Sequence, residues 1–197
     1  MMKYPALRHG ALVKAQRIVP YLTPEEVKIL AEKAAHSRKG ERNYLLILII
    51  FQTGLRMSEA LNLSPSSIEK FDRKPLLSIV GKGKKRRLVA CPERLVEKLK
   101  AHAFEKKICP EERFLLINRF WAWQILRETS KKAMLNKRVF PHLLRHSDAI
   151  ERLRQTGNSK ALQLQLGHSS TVMIMRYLST LTQEDAVRIN QEVVFDG

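Results

Sequence analysis

Apolar residues recur at helical spacing along most of this chain and switch to strand-like alternation only once, between Ser67 and Ala90. Thr23-Pro24-Glu25-Glu26 predicts a helix start: Thr23 caps, Pro24 fits the first helical position and Glu26 can close a capping box. That helix should run to about Ala35 and stop by Gly40. The next, from Glu41 to Thr53, is apolar almost all round, as a buried central helix must be. Gly54 ends it and delivers Arg56 to the entrance of a new short helix. Leu76–Val80 and Arg87–Ala90 flank a Gly-Lys-Gly-Lys-Lys turn and predict an antiparallel hairpin, with residues 66–71 as a third strand. Helices are expected over residues 92–102, 119–135, 141–155, 159–165, 170–178 and 182–192. The fold class is therefore mainly α with a small antiparallel β-sheet (α+β). Residues 1–22 read as a basic arm, 23–181 as the one folded domain, and 182–197 as a C-terminal helix and tail. Phe120, Trp121 and Trp123 could stack on nucleic-acid bases, but the core is the favoured place for them, as for other aromatics in an amphipathic helix. Val172, Met173 and Met175 should pack the helix of Tyr177.

Composition narrows the class. The 197 residues suffice for one sizeable domain. Hydrophobic residues make up 44%, enough for a packed core, and 36 Lys and Arg against 19 Asp and Glu leave a net charge of +17. Such an excess points to a polyanionic partner. Cys91 and Cys109 are the only cysteines and nothing forces them to pair, so a reduced, cytoplasmic setting is the default. No CxxC, HExxH or carboxylate loop marks a metal site, and no cofactor motif appears. The longest apolar run, Leu45 to Phe51, is too short to span a bilayer. The basic N-terminus lacks the apolar core of a secretion signal.

The chemistry concentrates in the last third. His142 and Arg145 lie one turn apart behind Pro141, Leu166-Gly167-His168-Ser169-Ser170 follows, and Tyr177 stands nine residues after His168. Upstream, Arg56 and Glu59 share one helix, and Lys82 sits in the turn ahead of Lys84, Lys85, Arg86 and Arg87. Two Arg forks can hold a phosphoryl transition state where a metal would otherwise sit, and a Tyr hydroxyl can attack phosphorus and leave again. His146, next to Arg145, is expected to face elsewhere and to be structural.

The segments TGLRMSEALNL, VGKGKKRRLV, HLLRHS and LGHSSTVMIMRYL, in this order, resemble the four signature blocks of the tyrosine recombinase (phage integrase) family, from about residue 20 to residue 180. The resemblance implies that family's catalytic-domain fold. It makes Arg56 and Arg145 the phosphate clamps, Lys82 the group that protonates the departing 5′ oxygen (Lys84 its rival), and His142 a proton-transfer partner. His168 then bonds a phosphate oxygen, Tyr177 is the nucleophile and Glu59 supports Arg56. Lys84, Lys85, Arg86 and Arg87 are left to touch DNA phosphates. The implied activity is site-specific recombination through a 3′-phosphotyrosine, needing neither metal nor ATP. Type IB topoisomerase-like relaxation and non-catalytic DNA regulation stand as alternatives. The N-terminal clamp domain of most members has no counterpart in residues 1–22, which suggests a short single-domain member or an isolated catalytic domain. The implied partner is double-stranded DNA at a specific recombination site. A homo-tetramer on paired sites is expected, from a monomer or weak dimer in solution, with residues 182–197 docking in trans or folded back. The place of work is the cytoplasm, at the nucleoid.

Overall fold

A computed structural model describes residues 20–81, 86–167 and 172–193. The described residues form helices α1 (Pro24–Ala35), α2 (Gly40–Thr53) and α3 (Met57–Leu61), then strands β1 (Ile68–Phe71), β2 (Lys74–Val80) and β3 (Arg86–Ala90). After these come α4 (Glu93–Glu105), α5 (Arg119–Lys132), α6 (Pro141–Thr156), α7 (Ser159–Leu166), α8 (Val172–Leu178) and α9 (Gln183–Gln191). The α+β class expected from the pattern is the class observed.

Local chemistry accounts for the boundaries. Thr23 and Glu26 close the capping box at the start of α1. Helix α2 buries Leu45 through Ile50 and packs against α1, α3, α4, α5 and α6, so its all-round apolar surface is matched by neighbours on every side. The sheet is antiparallel in the order β1-β2-β3, with Phe71 opposite Lys74 and Leu77 opposite Val89. β2 begins at Lys74, two residues before the expected strand. Asp72 and Arg73 make the two-residue turn with φ of 48° and 61°, as tight hairpins need but without the usual Gly, so the turn is hard to see in the sequence.

Two apolar clusters result. The larger joins α1 to α5 with the sheet and the start of α6. The smaller gathers Ala149, Ile150 and Leu153 of α6, Leu162 and Leu166 of α7, and Ile174 and Tyr177 of α8. Helix α9 lies on α6 of its own chain: Asp185 pairs with Arg154 at 3.3 Å, and Gly157 gives room to Ile189.

Two packing expectations fail. Phe120 and Trp121 are 62% and 58% exposed, edge to face at 5.6 Å, because α5 buries Ala122, Leu126 and Thr129 and its phase turns the first two aromatics outward. Trp123 is half-buried, with the Arg138 guanidinium 6.0 Å from its ring centroid. On α8, Ile174 and Tyr177 take the inward positions, which leaves Val172 and Met175 in solvent and only Met173 packed. Among the described residues no helix is long and apolar enough to cross a membrane.

Candidate active site

Gly54 closes α2 in the left-handed region, with φ of 65°. A Cβ at that position would sit 2.4 Å from Asp148 Oδ2 and 2.6 Å from Leu166 Cδ2, so both the dihedral and the close approach require glycine. The chain thus turns sharply, and Arg56 becomes the N-cap of α3. Glu59, one turn on, accepts from the Arg56 backbone N–H at 2.8 Å and from Arg56 Nη1 at 3.0 Å. The same carboxylate takes both forks of Arg87, at 2.8 and 2.9 Å. Burial alone would raise the pKa of Glu59. The bonds from Arg87 and from the Arg56 N–H, with the two guanidinium charges, outweigh it and hold the group at about 2.

Arg145 is 3% exposed. Its Nη1 donates to the carbonyl of Gly54, and its Nη2 donates to the carbonyl of Leu166 at 2.8 Å. Arg56 Nη2 reaches the next carbonyl along, that of Gly167, at 3.5 Å. The two forks therefore meet at the end of α7. Burial, then the like charge of Arg56, lowers the Arg145 pKa to about 10, so it stays cationic at neutral pH. Three guanidiniums around one carboxylate leave a local excess of two positive charges, a site prepared for an anion. It opens into a cleft of about 1040 Å³ lined by Arg56, Glu59, Arg86, Arg87 and Gly167.

On α6, His142 is exposed one turn before Arg145. Partial burial, then the charges of Arg145, Arg119 and Arg56, lower its pKa, which favours the neutral ring. Tyr177 has no exposed surface, and its hydroxyl lies 2.7 Å from His146 Nδ1. Burial raises the phenol pKa and, with the His142 and Arg145 charges, lowers that of His146 to about 4. A neutral imidazole beside a protonated phenol lets the Tyr177 hydroxyl donate to Nδ1.

The structure thus brings Arg56, Glu59 and Arg145 together, with His142 on the helix of Arg145 and Tyr177 packed against that helix. Lys82, Lys84, Lys85 and His168 lie outside the described residues. Arg86 sits on the outer face of the sheet, paired with Glu69 and donating to Ser78 Oγ at 2.5 Å. Arg87, expected to touch phosphate, is held differently from Arg86. Strand alternation puts it on the inner face with Val89, where its side chain is 15% exposed and committed to Glu59. His146 departs from its expectation: it touches the Tyr177 hydroxyl and does not face elsewhere. The signal was present, since residues i, i+3 and i+4 of a helix share a face, here His142, Arg145 and His146.

Residues 20–184 match the profile of the Phage integrase family. The chain belongs to this family. A tyrosine recombinase of Pseudothermotoga lettingae is 32% identical over 180 residues, covering 89% of this chain and 62% of that protein. Tyrosine recombinase XerA of Thermococcus kodakarensis is 33% identical over 168 residues, covering 80% of the chain and 57% of the relative. The chain thus spans less than two thirds of either relative. Among solved structures it is similar to a XerH site-specific recombinase bound to a palindromic difH substrate, with TM-score 0.73 and 26% identity over 89% of this chain and 54% of that one. The catalytic domain of bacteriophage HP1 integrase shares the fold at TM-score 0.66 and 24% identity, covering 88% of this chain and 96% of that domain. Arg56, Lys82, His142, Arg145, His168 and Tyr177 all fall within the matched span.

Proposed function

We propose that this chain is the catalytic domain of a site-specific DNA recombinase that cuts and rejoins strands through a 3′-phosphotyrosine. The observation that carries the reading is the convergence of the Arg56 and Arg145 forks on the adjacent carbonyls of Gly167 and Leu166, beside the helix that holds Tyr177. A phosphate entering there replaces one set of acceptors with another and finds its charge already matched. The Tyr177 oxygen bonds to phosphorus, its proton leaves through a neighbouring base, and the bond from phosphorus to the 5′ oxygen breaks. Lys82 protonates that oxygen, while His142 and His168 bond the remaining oxygens or carry protons. The two Arg forks supply the charge stabilisation, so the reaction proceeds without metal or ATP. The relatives named as tyrosine recombinases, and the XerH recombinase on its difH substrate, support DNA as the partner.

Tyr177 is buried against His146, so α8 must turn before the hydroxyl can meet a phosphate. The reading includes four protomers on paired sites, assembled from monomers or weak dimers at the nucleoid. Its test is a suicide duplex with a nick beside the scissile phosphate. Wild type should trap a covalent adduct with a free 5′ hydroxyl in EDTA, and Tyr177→Phe should bind the duplex and trap none. An adduct that survives Tyr177→Phe removes this nucleophile.

A further inference from the structure

Gln165 is a buried amide on α7, two residues before Gly167, and nothing in the chemistry above uses it. Its side chain meets three backbone groups. Nε2 donates to the Thr53 carbonyl at 3.1 Å and to the Ala90 carbonyl at 3.0 Å, and Oε1 accepts from the Ala90 N–H at 2.9 Å. Both amide hydrogens and one oxygen lone pair are therefore committed. β3 is the edge strand on this side of the sheet, and one residue of a strand points its N–H and C=O the same way. The Gln165 amide thus completes that edge at Ala90 as the peptide group of a fourth strand would.

Each bonded segment leads to a group of the site. Thr53 is the last residue of α2 and lies three residues before Arg56. Ala90 ends the strand that carries Arg87. Gln165 itself lies three residues before His168 in the sequence. Its own carbonyl accepts from Arg87 Nε at 3.4 Å, and the next residue, Leu166, offers its carbonyl to Arg145. Gly167 then lies so close to Arg87 that a Cβ would be 2.9 Å from the Arg87 Cδ.

We propose that Gln165 is a positioning residue for strand cleavage, fixing the loop of Arg56, the strand of Arg87 and the α7 turn against one another through its three amide bonds. The inference rests on the recombinase reading and adds to it the part that sets the relative placement of the clamps. A misplacement of about 1 Å in such an assembly costs about a hundredfold in rate. Binding, which draws on many phosphate contacts spread over a basic surface, should not notice it.

The test uses the full chain as Gln165→Met, which keeps volume and loses all three bonds, and Gln165→Glu, which keeps the acceptor for the Ala90 N–H and loses both donors. Three quantities are read: the thermal midpoint, the Kd for a labelled duplex, and the single-turnover rate of adduct formation at saturating protein. The proposal expects both variants folded at assay temperature, Kd within about twofold of wild type, and cleavage slower by about tenfold to a hundredfold. A folded variant that cleaves at the wild-type rate overturns it. So does a rate that falls only in proportion to the folded fraction, or the unfolding of both variants, since either makes Gln165 a folding residue. If wild type itself forms no adduct, the recombinase reading fails first and this inference with it.

Discussion

Replacing Glu59 by Gln tests whether one carboxylate organises the cationic cluster. Glu59 is held at about 2 against an ordinary 4.5. That difference of roughly 2.5 corresponds to about 3.4 kcal/mol of native-state stabilisation at pH 7. Solvent around the half-exposed Arg56 fork screens part of this, so about 2 kcal/mol is expected. The sign follows from the depressed pKa. The stabilisation is complete above the unfolded value of about 4.5 and is lost as pH falls toward 2, because the unfolded chain takes the proton first. Unscreened, the same linkage leaves about 1.4 kcal/mol at pH 3. Urea unfolding of wild type and Glu59→Gln, followed by circular dichroism between pH 7 and pH 3, should show a gap that narrows by more than half. Adduct formation should fall at pH 7, since Arg56 loses its second anchor. A stability gap that stays constant across this range would refute the reasoning, because the carboxylate charge would not then be what holds the forks.

Three further outcomes are expected. Arg145→Ala strands the carbonyls of Gly54 and Leu166 in a buried turn, so it should cost about 2–4 kcal/mol in urea unfolding and slow cleavage by about a hundredfold to a thousandfold; wild-type stability would deny the carbonyl bonds their role. His146 resists its proton down to about 4 while the unfolded chain takes one near 6.5, so stability should fall on acidification from pH 7 to pH 5. His146→Gln should lessen that fall by about 1 kcal/mol after screening, and parallel pH profiles would count against the shift. With Trp123→Phe the only tryptophan is the exposed Trp121, whose emission should change, and its iodide quenching drop, when a duplex binds; titration by anisotropy without any such change would place α5 away from the DNA.

Much of the fold is legible because the strongest signals are local. The Thr23 capping box, the Gly54 stop and the helical spacing of α5 and α6 each determine an element within a few residues of sequence. That Arg56, Arg145 and Tyr177 would lie near one another is legible because Arg, His and Tyr at those spacings suggest a common chemistry. The residues that were hard to place depend on partners far along the chain. Arg87 differs from Arg86 only through strand register, which brings it to Glu59, 28 residues away. Gln165 shows its value only when Thr53 and Ala90 arrive from 112 and 75 residues upstream. Phe120 and Trp121 follow the phase of a helix that turns Ala122 and Leu126 inward, and no average preference of aromatics for the interior reveals that.

The burial of Tyr177 separates folding from reactivity. On the reading proposed above, the helices around Tyr177 can be well packed and the two Arg forks fully charged while the chain stays inert toward a phosphodiester, because the ring is buried and its hydroxyl is held by His146. The observed rate on DNA is then the intrinsic rate multiplied by the fraction of molecules with α8 turned outward. A factor of a hundred in that fraction needs only about 2.7 kcal/mol, the scale of moving one large apolar side chain from the interior into water. Here that restraint requires no inhibitor, only the ordinary preference of a phenol ring for the inside.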